Sequence, residues 1–219
     1  MGQGESTSRS VWSSAAHLWI ATFTGLVALG ISLYNFVVLQ RPPKVDVALP
    51  RLVRIEPRAP GNAVHFFLQP TLSIRRKTEN VEVVTDAQLR LAPTDVNAPR
   101  PRFFWLDYGN YVYDFETNRD NWEKSSDPTP ILVSQERPSL STFNFNADAW
   151  NFRPGRYEGS LILHRSGGAP MTARFCLLVS AEDVKTFKGS PERRAFVFRN
   201  DILDASVATR NPGCYVSAQ

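Results

Sequence analysis

An uncharged apolar run near the N-terminus constrains the fold of this chain more than any other feature. It covers 22 residues, from Leu18 to Leu39, and contains no Asp, Glu, Lys or Arg. At 1.5 Å per residue, a helix of that length matches the roughly 30 Å apolar core of a bilayer. The apolar region of a cleaved signal peptide is shorter, about 7 to 15 residues. We therefore predict a retained transmembrane helix, with the aromatic rings of Trp19 and Tyr34 near its boundaries.

The position of this helix divides the chain into five predicted parts. About 180 residues follow the helix, which suits one domain with its own hydrophobic core. The parts are a polar tail at 1–17, the transmembrane helix at 18–39, a basic proline-rich juxtamembrane linker at 40–60, a β-sandwich core at 61–181 and a C-terminal extension at 182–219 with an extra strand at 195–199. The chain is thus predicted to be a single-pass membrane protein that carries one large domain.

Charged residues on the two sides of the helix predict its direction across the membrane. The 17 residues before Leu18 contain one basic residue, whereas the 20 residues after Leu39 contain five: Arg41, Lys44, Arg51, Arg54 and Arg58. Basic flanks tend to stay in the cytoplasm, so we expect a cytoplasmic domain and an N-terminus outside. The alternative is that the basic flank reflects only the excess of basic residues in the whole chain, whose net charge is +4. The same five side chains are candidate contacts for anionic lipid headgroups.

Small residues form a seam along one side of the predicted helix. Its members recur with a period near 3.5 and are Ala21, Gly25, Ala28, Ser32 and Asn35. Small side chains let helix backbones approach closely, and a polar amide in lipid seeks a hydrogen-bond partner. The seam therefore predicts self-association into a homo-oligomer or docking on another membrane helix. The alternative is that the seam has no role in association, because transmembrane helices are commonly rich in small residues.

Short alternating stretches separated by prolines predict an all-β domain. The sequence contains 16 prolines, which disfavours long helices. Alternate residues of 63–75 are apolar, and Pro70 in this stretch predicts an edge position or a bulge. The clearest hairpin pairs 157–164 with 171–179. Further strands are predicted at 45–49, 82–91, 111–115, 131–133, 140–145 and 195–199. A total of seven to nine strands in this length predicts a two-sheet β-sandwich.

One short segment of the predicted sandwich resembles a known fold family. The segment 152–161 reads FRPGRYEGSL and contains Pro154-Gly155-Arg156-Tyr157. It resembles the Pro-Gly-x-Tyr start of a late strand in immunoglobulin-like and fibronectin-like sandwiches. The resemblance implies an immunoglobulin-like or related sandwich in which the Tyr157 hydroxyl bonds back to the chain at the corner. It implies no function, because this architecture hosts many unrelated activities.

The chain contains few side chains suited to catalysis or metal binding. Its histidines are His17, His65 and His164, and its two cysteines are Cys176 and Cys214, which can form a disulfide or remain reduced thiols. Their spacing does not match zinc ligands, and no serine elbow or glycine-rich phosphate loop is present. We expect no catalytic role, no cofactor and no metal. The 25 basic residues are interspersed with 21 acidic ones, so no nucleic-acid partner is expected.

One aromatic segment differs from the rest of the predicted scaffold. Residues 103–122 read FFWLDYGNYVYDFETNRDNW and contain eight aromatic side chains together with several carboxylates. Aromatic rings beside carboxylates and amides can bind a sugar or a peptide. The candidate ligand surface comprises Trp105, Tyr108, Tyr111 and Trp122. The alternative is that Tyr111, Tyr113 and Phe115, spaced by two, fill one strand face and pack in the core.

The sequence leads to two functional hypotheses. The first is a non-catalytic, membrane-anchored β-sandwich that binds a protein partner or acts structurally, with its large domain in the cytoplasm. It depends on the charge asymmetry, the small-residue seam and the missing catalytic constellation. The second is a ligand- or carbohydrate-binding module outside the cytoplasm that uses the aromatic segment 103–122.

Overall fold

The computed structural model describes residues 8–58, 63–75, 78, 80–95, 97–116, 119–136, 138–148, 150, 153–189, 195–202 and 213–218. Within these ranges the chain is mostly β, with one long apolar helix at its N-terminal end. The helices are α1 (Ser8–Leu39) and α2 (Ala181–Gly189). The strands are β1 (Val45–Ala48), β2 (Leu52–Arg58), β3 (Ala63–Leu68), β4 (Thr71–Ile74), β5 (Glu82–Pro93), β6 (Phe104–Asp114), β7 (Arg119–Ser126), β8 (Ile131–Val133), β9 (Thr142–Ala147), β10 (Gly155–Arg165), β11 (Gly168–Val179), β12 (Phe196–Arg199) and β13 (Val216–Ser217).

The chain forms two compact units, and α1 belongs to the first, which comprises 1–42 and 77–80. The helix begins at Ser8, so part of the predicted polar tail is helical. From His17 to Leu39 it is long and apolar enough to cross a membrane, and its side chains are mostly exposed. Thr78 Oγ1 lies 3.0 Å from the Leu39 carbonyl oxygen and 2.9 Å from the Arg41 carbonyl oxygen, so its hydroxyl donates to the backbone at the C-terminal end of the helix.

The second unit contains all the described strands, arranged in three sheets. The largest has the strand order β13-β12-β2-β3-β9-β6-β7, the next has the order β11-β10-β5-β8, and β1 pairs with β4 in a two-stranded sheet. One hydrophobic core includes side chains from both larger sheets, among them Phe66 and Phe145 from the first and Leu89 and Leu161 from the second. Burial of these apolar faces is the main favourable term in folding the domain.

The thirteen described strands exceed the seven to nine predicted. Pro70 accounts for part of the difference, because a residue without an amide hydrogen interrupts a ladder and separates β3 from β4. These two strands then join different sheets. The segment 40–60, predicted to be a linker, contains β1 and β2, and Val53 and Ile55 of β2 are buried in the core.

The hairpin predicted from alternation is present as β10 and β11. Leu161 pairs with Ala173, and Tyr157 pairs with Leu177. The apolar face of β10 predicted from sequence is buried, including Tyr157 and Leu161. The Tyr157 hydroxyl donates to the Arg153 carbonyl at 2.9 Å, which is the backbone contact that the Pro-Gly-x-Tyr resemblance implied.

The C-terminal extension includes α2, β12 and β13, and only the strand near 195–199 was predicted. A disulfide joins Cys176 in β11 to Cys214. The next residue, Tyr215, pairs with β11, because its amide donates to the Cys176 carbonyl and its carbonyl accepts from Leu178 N, both at 2.8 Å. β13 then pairs with β12. The described segment 213–218 therefore connects the edges of the two larger sheets, and the disulfide holds it there.

Candidate functional site

The seven-stranded sheet buries polar and aromatic side chains on the face opposite the core. In β3, Val64 and Phe66 point into the core, so His65 and Phe67 alternate to the other face. In β9, Phe143 and Phe145 likewise leave Asn144 on that other face. A sheet face opposite the core is usually solvated. Here Phe67 and Asn144 are only 3% and 2% exposed.

This second face contains a cleft with a volume of about 530 Å³. Pockets for small molecules commonly measure about 300 to 1,000 Å³. Its lining comes from β2, β3, β6, β7 and β9, together with Ala195 beside β12. The cleft is therefore built by six neighbouring parts of one sheet.

Three aromatic rings form one wall of the cleft. Tyr111 and Trp122 are directly paired across β6 and β7, with ring centroids 5.4 Å apart. The ring centroid of Phe67 lies 4.8 Å from that of Trp122 and 5.0 Å from that of Tyr111. Mutual contact holds the three rings in place and leaves faces and edges available to a ligand.

An ion pair crosses the same face of the sheet. Arg54 Nη2 in β2 lies 3.0 Å from Asp120 Oδ2 in β7, and the guanidinium carbon lies 4.3 Å from the centre of the Tyr111 ring. Three strands separate β2 from β7 in the sheet, or about 19 Å at the usual strand spacing. An arginine and an aspartate cannot bridge that width in a flat sheet. The sheet therefore curls toward this face, which makes the cleft concave.

A chain of hydrogen bonds extends along the lining of the cleft. His65 Nδ1 lies 2.9 Å from Asn144 Oδ1, and Asn144 Nδ2 donates to Asp107 Oδ1 at 2.9 Å. Because that amide oxygen can only accept, His65 donates from Nδ1 in this amide orientation. Asp107 is 7% exposed, so its carboxylate lies at the bottom of the cleft. These bonds fix the orientation of three polar side chains before a ligand arrives.

An irregularity in β6 places Asp107 in the cleft. Its pairing with β9 shifts register between Trp105 and Asp107, which is the signature of a β-bulge. Trp105 therefore contacts the core side, where its ring lies 5.2 Å from Phe143. Without the bulge, residues 105 and 107 would share one face.

Several buried polar atoms of this face have no hydrogen-bond partner among the described residues. They include the Tyr111 hydroxyl, Trp122 Nε1, Arg54 Nε and Asn146 Oδ1. An unsatisfied buried polar group costs about 1 to 3 kcal/mol, so such groups call for a ligand or ordered water. Burial, assisted by the charge of Glu56, raises the pKa of Tyr111 well above its ordinary value. Its hydroxyl therefore stays protonated and available as a donor.

The structure separates the four residues of the predicted ligand surface. Tyr111 and Trp122 line the cleft. Trp105 packs against the core instead, and the Tyr108 hydroxyl lies 3.2 Å from Thr129 Oγ1. The alternative prediction was that Tyr111, Tyr113 and Phe115 pack in the core. Tyr113 and Phe115 do not, because they are 45% and 88% exposed. Sequence reasoning missed His65 and Asn144 as cleft residues because they lie on other strands.

The remaining predicted site residues lie elsewhere. Gly25 and the other seam residues of α1 are exposed, and an added Cβ at Gly25 would meet no atom within 4 Å. Of the predicted headgroup contacts, Arg54 is paired with the cleft residue Asp120, and Arg51 is 82% exposed beside Asp201. Arg41 follows α1, Lys44 precedes β1, and Arg58 ends β2. No group of three or more potential metal ligands occurs in the described part of the chain.

Comparison with known proteins gives little further information. No protein-family model matches the chain, and no curated protein matches it. Among solved structures it is similar to a family 123 glycoside hydrolase from Clostridium perfringens, studied for glycolipid glycan hydrolysis. The similarity covers 52% of this chain and 21% of that enzyme, with 12% sequence identity and a TM-score of 0.30. The chain thus spans about a fifth of the length of the enzyme it matches.

Proposed function

We propose that this chain is a single-pass membrane-anchored protein whose β domain lies outside the cytoplasm and binds a carbohydrate or a similar polar ligand without catalysis. The observation that carries the proposal is the concave cleft, in which aromatic rings adjoin buried polar atoms that have no partner among the described residues. We also propose an immunoglobulin-like or related two-sheet sandwich as the architecture. The shared core of the two larger sheets and the Tyr157 corner bond support it.

The chemistry of the cleft suits a carbohydrate. A sugar presents apolar C–H faces that stack on aromatic rings and hydroxyls that both donate and accept. Trp122 and Tyr111 supply the rings, while Asp107, Asn121 and His65 supply polar groups around them. Within the described part of the chain Trp122 Nε1 and the Tyr111 hydroxyl have no partner, and both are donors suited to ligand oxygens.

The disulfide supports a location outside the cytoplasm. Disulfides persist in oxidising compartments and are rare where cellular thiols keep cysteines reduced. Cys176 and Cys214 form such a bond, and these are the two cysteines of the chain. The basic flank after Leu39 favours the opposite orientation. We give the disulfide more weight because much of that flank is folded into β1 and β2, where Arg54 is paired with Asp120.

Carbohydrate titration of the full-length protein in neutral detergent tests the cleft. We expect saturable binding of at least one member of a panel of neutral, amino and acidic sugars, measured by tryptophan fluorescence and calorimetry. Trp122→Ala should weaken binding about tenfold or more, because a central aromatic anchor is lost. Tyr111→Phe keeps the ring and removes one donor, so we expect a loss of about fivefold.

The matched control is Tyr108→Phe, whose hydroxyl contacts Thr129 and does not line the cleft. This variant should bind as the native protein does. If no sugar in the panel binds saturably, or if Trp122→Ala and Tyr111→Phe both retain full affinity, the proposed carbohydrate site is wrong. Tyr111→Phe preserves the packing of the rings, so this comparison holds even if Trp122→Ala fails to fold.

A further inference from the structure

The outer face of the four-stranded sheet carries arginines in a row across its strands. Ser160 in β10 is paired with Arg174 in β11 on one side and with Arg90 in β5 on the other. Arg102 in turn faces Arg90 across an isolated bridge. Cross-strand partners point to the same side of a sheet. The four side chains therefore form one transverse row, with a hydroxyl between two guanidinium groups.

A cavity of about 440 Å³ adjoins one end of this row. Its lining includes Arg90, Arg100 and Arg102 together with the hydroxyl-bearing Ser160. The cavity also contains one carboxylate, Glu158, whose Oε1 already accepts from Arg156 Nε at 2.8 Å. Positive charge therefore exceeds negative charge at this cavity.

The arginines of the cavity are not paired with carboxylates of the described residues. Arg90 Nη2 donates a hydrogen bond to Gln88 Oε1 at 3.4 Å. Other arginines of the domain form ion pairs with carboxylates of the described residues, but Arg90, Arg100 and Arg102 do not. Like charges placed directly opposite on neighbouring strands destabilise a sheet. An anion bound between them would remove that repulsion.

The geometry points to a binding site for a tetrahedral oxyanion, a soluble phosphate or sulfate group, between Arg90, Arg102 and Ser160. Guanidinium groups match the oxygens of such anions with paired hydrogen bonds, and this match favours arginine over lysine. The Ser160 hydroxyl adds a neutral donor next to Arg90 in the register. The site lies on a different sheet from the aromatic cleft and does not depend on carbohydrate binding.

Calorimetric titration of the full-length protein with inorganic phosphate and sulfate tests this site. The protein is kept in neutral detergent, and sodium chloride holds the ionic strength constant so that general screening does not change. We expect one saturable site with a Kd of about 1 mM or below. Arg90→Gln and Arg102→Gln should each weaken binding at least tenfold, and Arg90→Lys should give an intermediate loss. Arg51→Gln makes the same charge change at an exposed position and should leave the affinity unchanged.

Two outcomes would overturn the site: the absence of saturable binding to either anion, and unchanged affinity in both glutamine variants. If neither anion binds but the protein binds vesicles that contain anionic lipid, the arginines belong to a membrane-facing surface instead. Circular dichroism shows whether each variant is folded. If a glutamine variant does not fold, Arg90→Lys, which retains the positive charge, still tests the site.

Discussion

We expect the replacement of Cys176 and Cys214 together by serine to lower the free energy of unfolding of the β domain by about 4 kcal/mol. The two cysteines are 38 residues apart, so the disulfide removes much of the chain entropy of the unfolded state. The native state depends on the same bond, because Cys214 precedes Tyr215, which is fully buried and donates its hydroxyl to the Pro50 carbonyl.

Urea unfolding of the full-length protein in detergent, followed by tryptophan fluorescence, measures this loss. A reducing agent should shift the native protein to the midpoint of the double variant and should not affect the variant itself. Equal midpoints for the native protein and the double variant, without reductant, would contradict a stabilising role for the disulfide.

We expect the replacement of Gly109 by alanine to destabilise the domain by about 3 kcal/mol and to disturb the cleft. An added Cβ at Gly109 would overlap the backbone carbonyl oxygen of Glu123 in β7, and a backbone cannot move aside as a flexible side chain can. Gly109 lies at the register shift between β6 and β7. The shift sets the pairing of Tyr111 with Trp122, so the aromatic wall should move with it.

Gly189→Ala is the matched control for this substitution. An added Cβ at Gly189, the last residue of α2, meets no atom within 4 Å. Its stability should differ from that of the native protein by less than about 1 kcal/mol. Gly109→Ala with native stability and native tryptophan fluorescence would show that β6 and β7 are not held as closely as described.

Local patterns predicted much of the β structure. The hairpin of β10 and β11 was predictable because alternate residues of both strands are mostly apolar and a short turn that contains Gly167 joins them. α2 was not predicted, although its start has a recognisable sequence pattern, because Ser180 and Asp183 form a capping box. In it Asp183 N donates to Ser180 Oγ at 3.0 Å, and Ser180 N donates to Asp183 Oδ2 at 2.7 Å. Alternation gave no comparable signal for β7, whose sequence RDNWEKSS is mostly polar.

The cleft was predictable only in part, because it depends on pairing between distant strands. Tyr111 and Trp122 stood out as members of an aromatic segment. His65 and Asn144 are 79 residues apart and meet through the pairing of β3 with β9. In the sequence Arg54 is one of five basic residues that follow the helix, and only the curl of the sheet brings it to Asp120. The bulge at Asp107 likewise leaves no period-two signal in the sequence.

Site-directed thiol labelling tests whether the β domain is anchored to the membrane and lies outside the cytoplasm. Phe115→Cys places a thiol at a position that is 88% exposed in the domain, and Ser6→Cys places one in the N-terminal tail. The native cysteines are joined in the disulfide and should not react. On intact cells, a membrane-impermeant maleimide should label Phe115→Cys, whereas Ser6→Cys should need permeabilisation. The reverse pattern would place the domain in the cytoplasm, and labelling of both variants on intact cells would show that α1 does not cross the membrane.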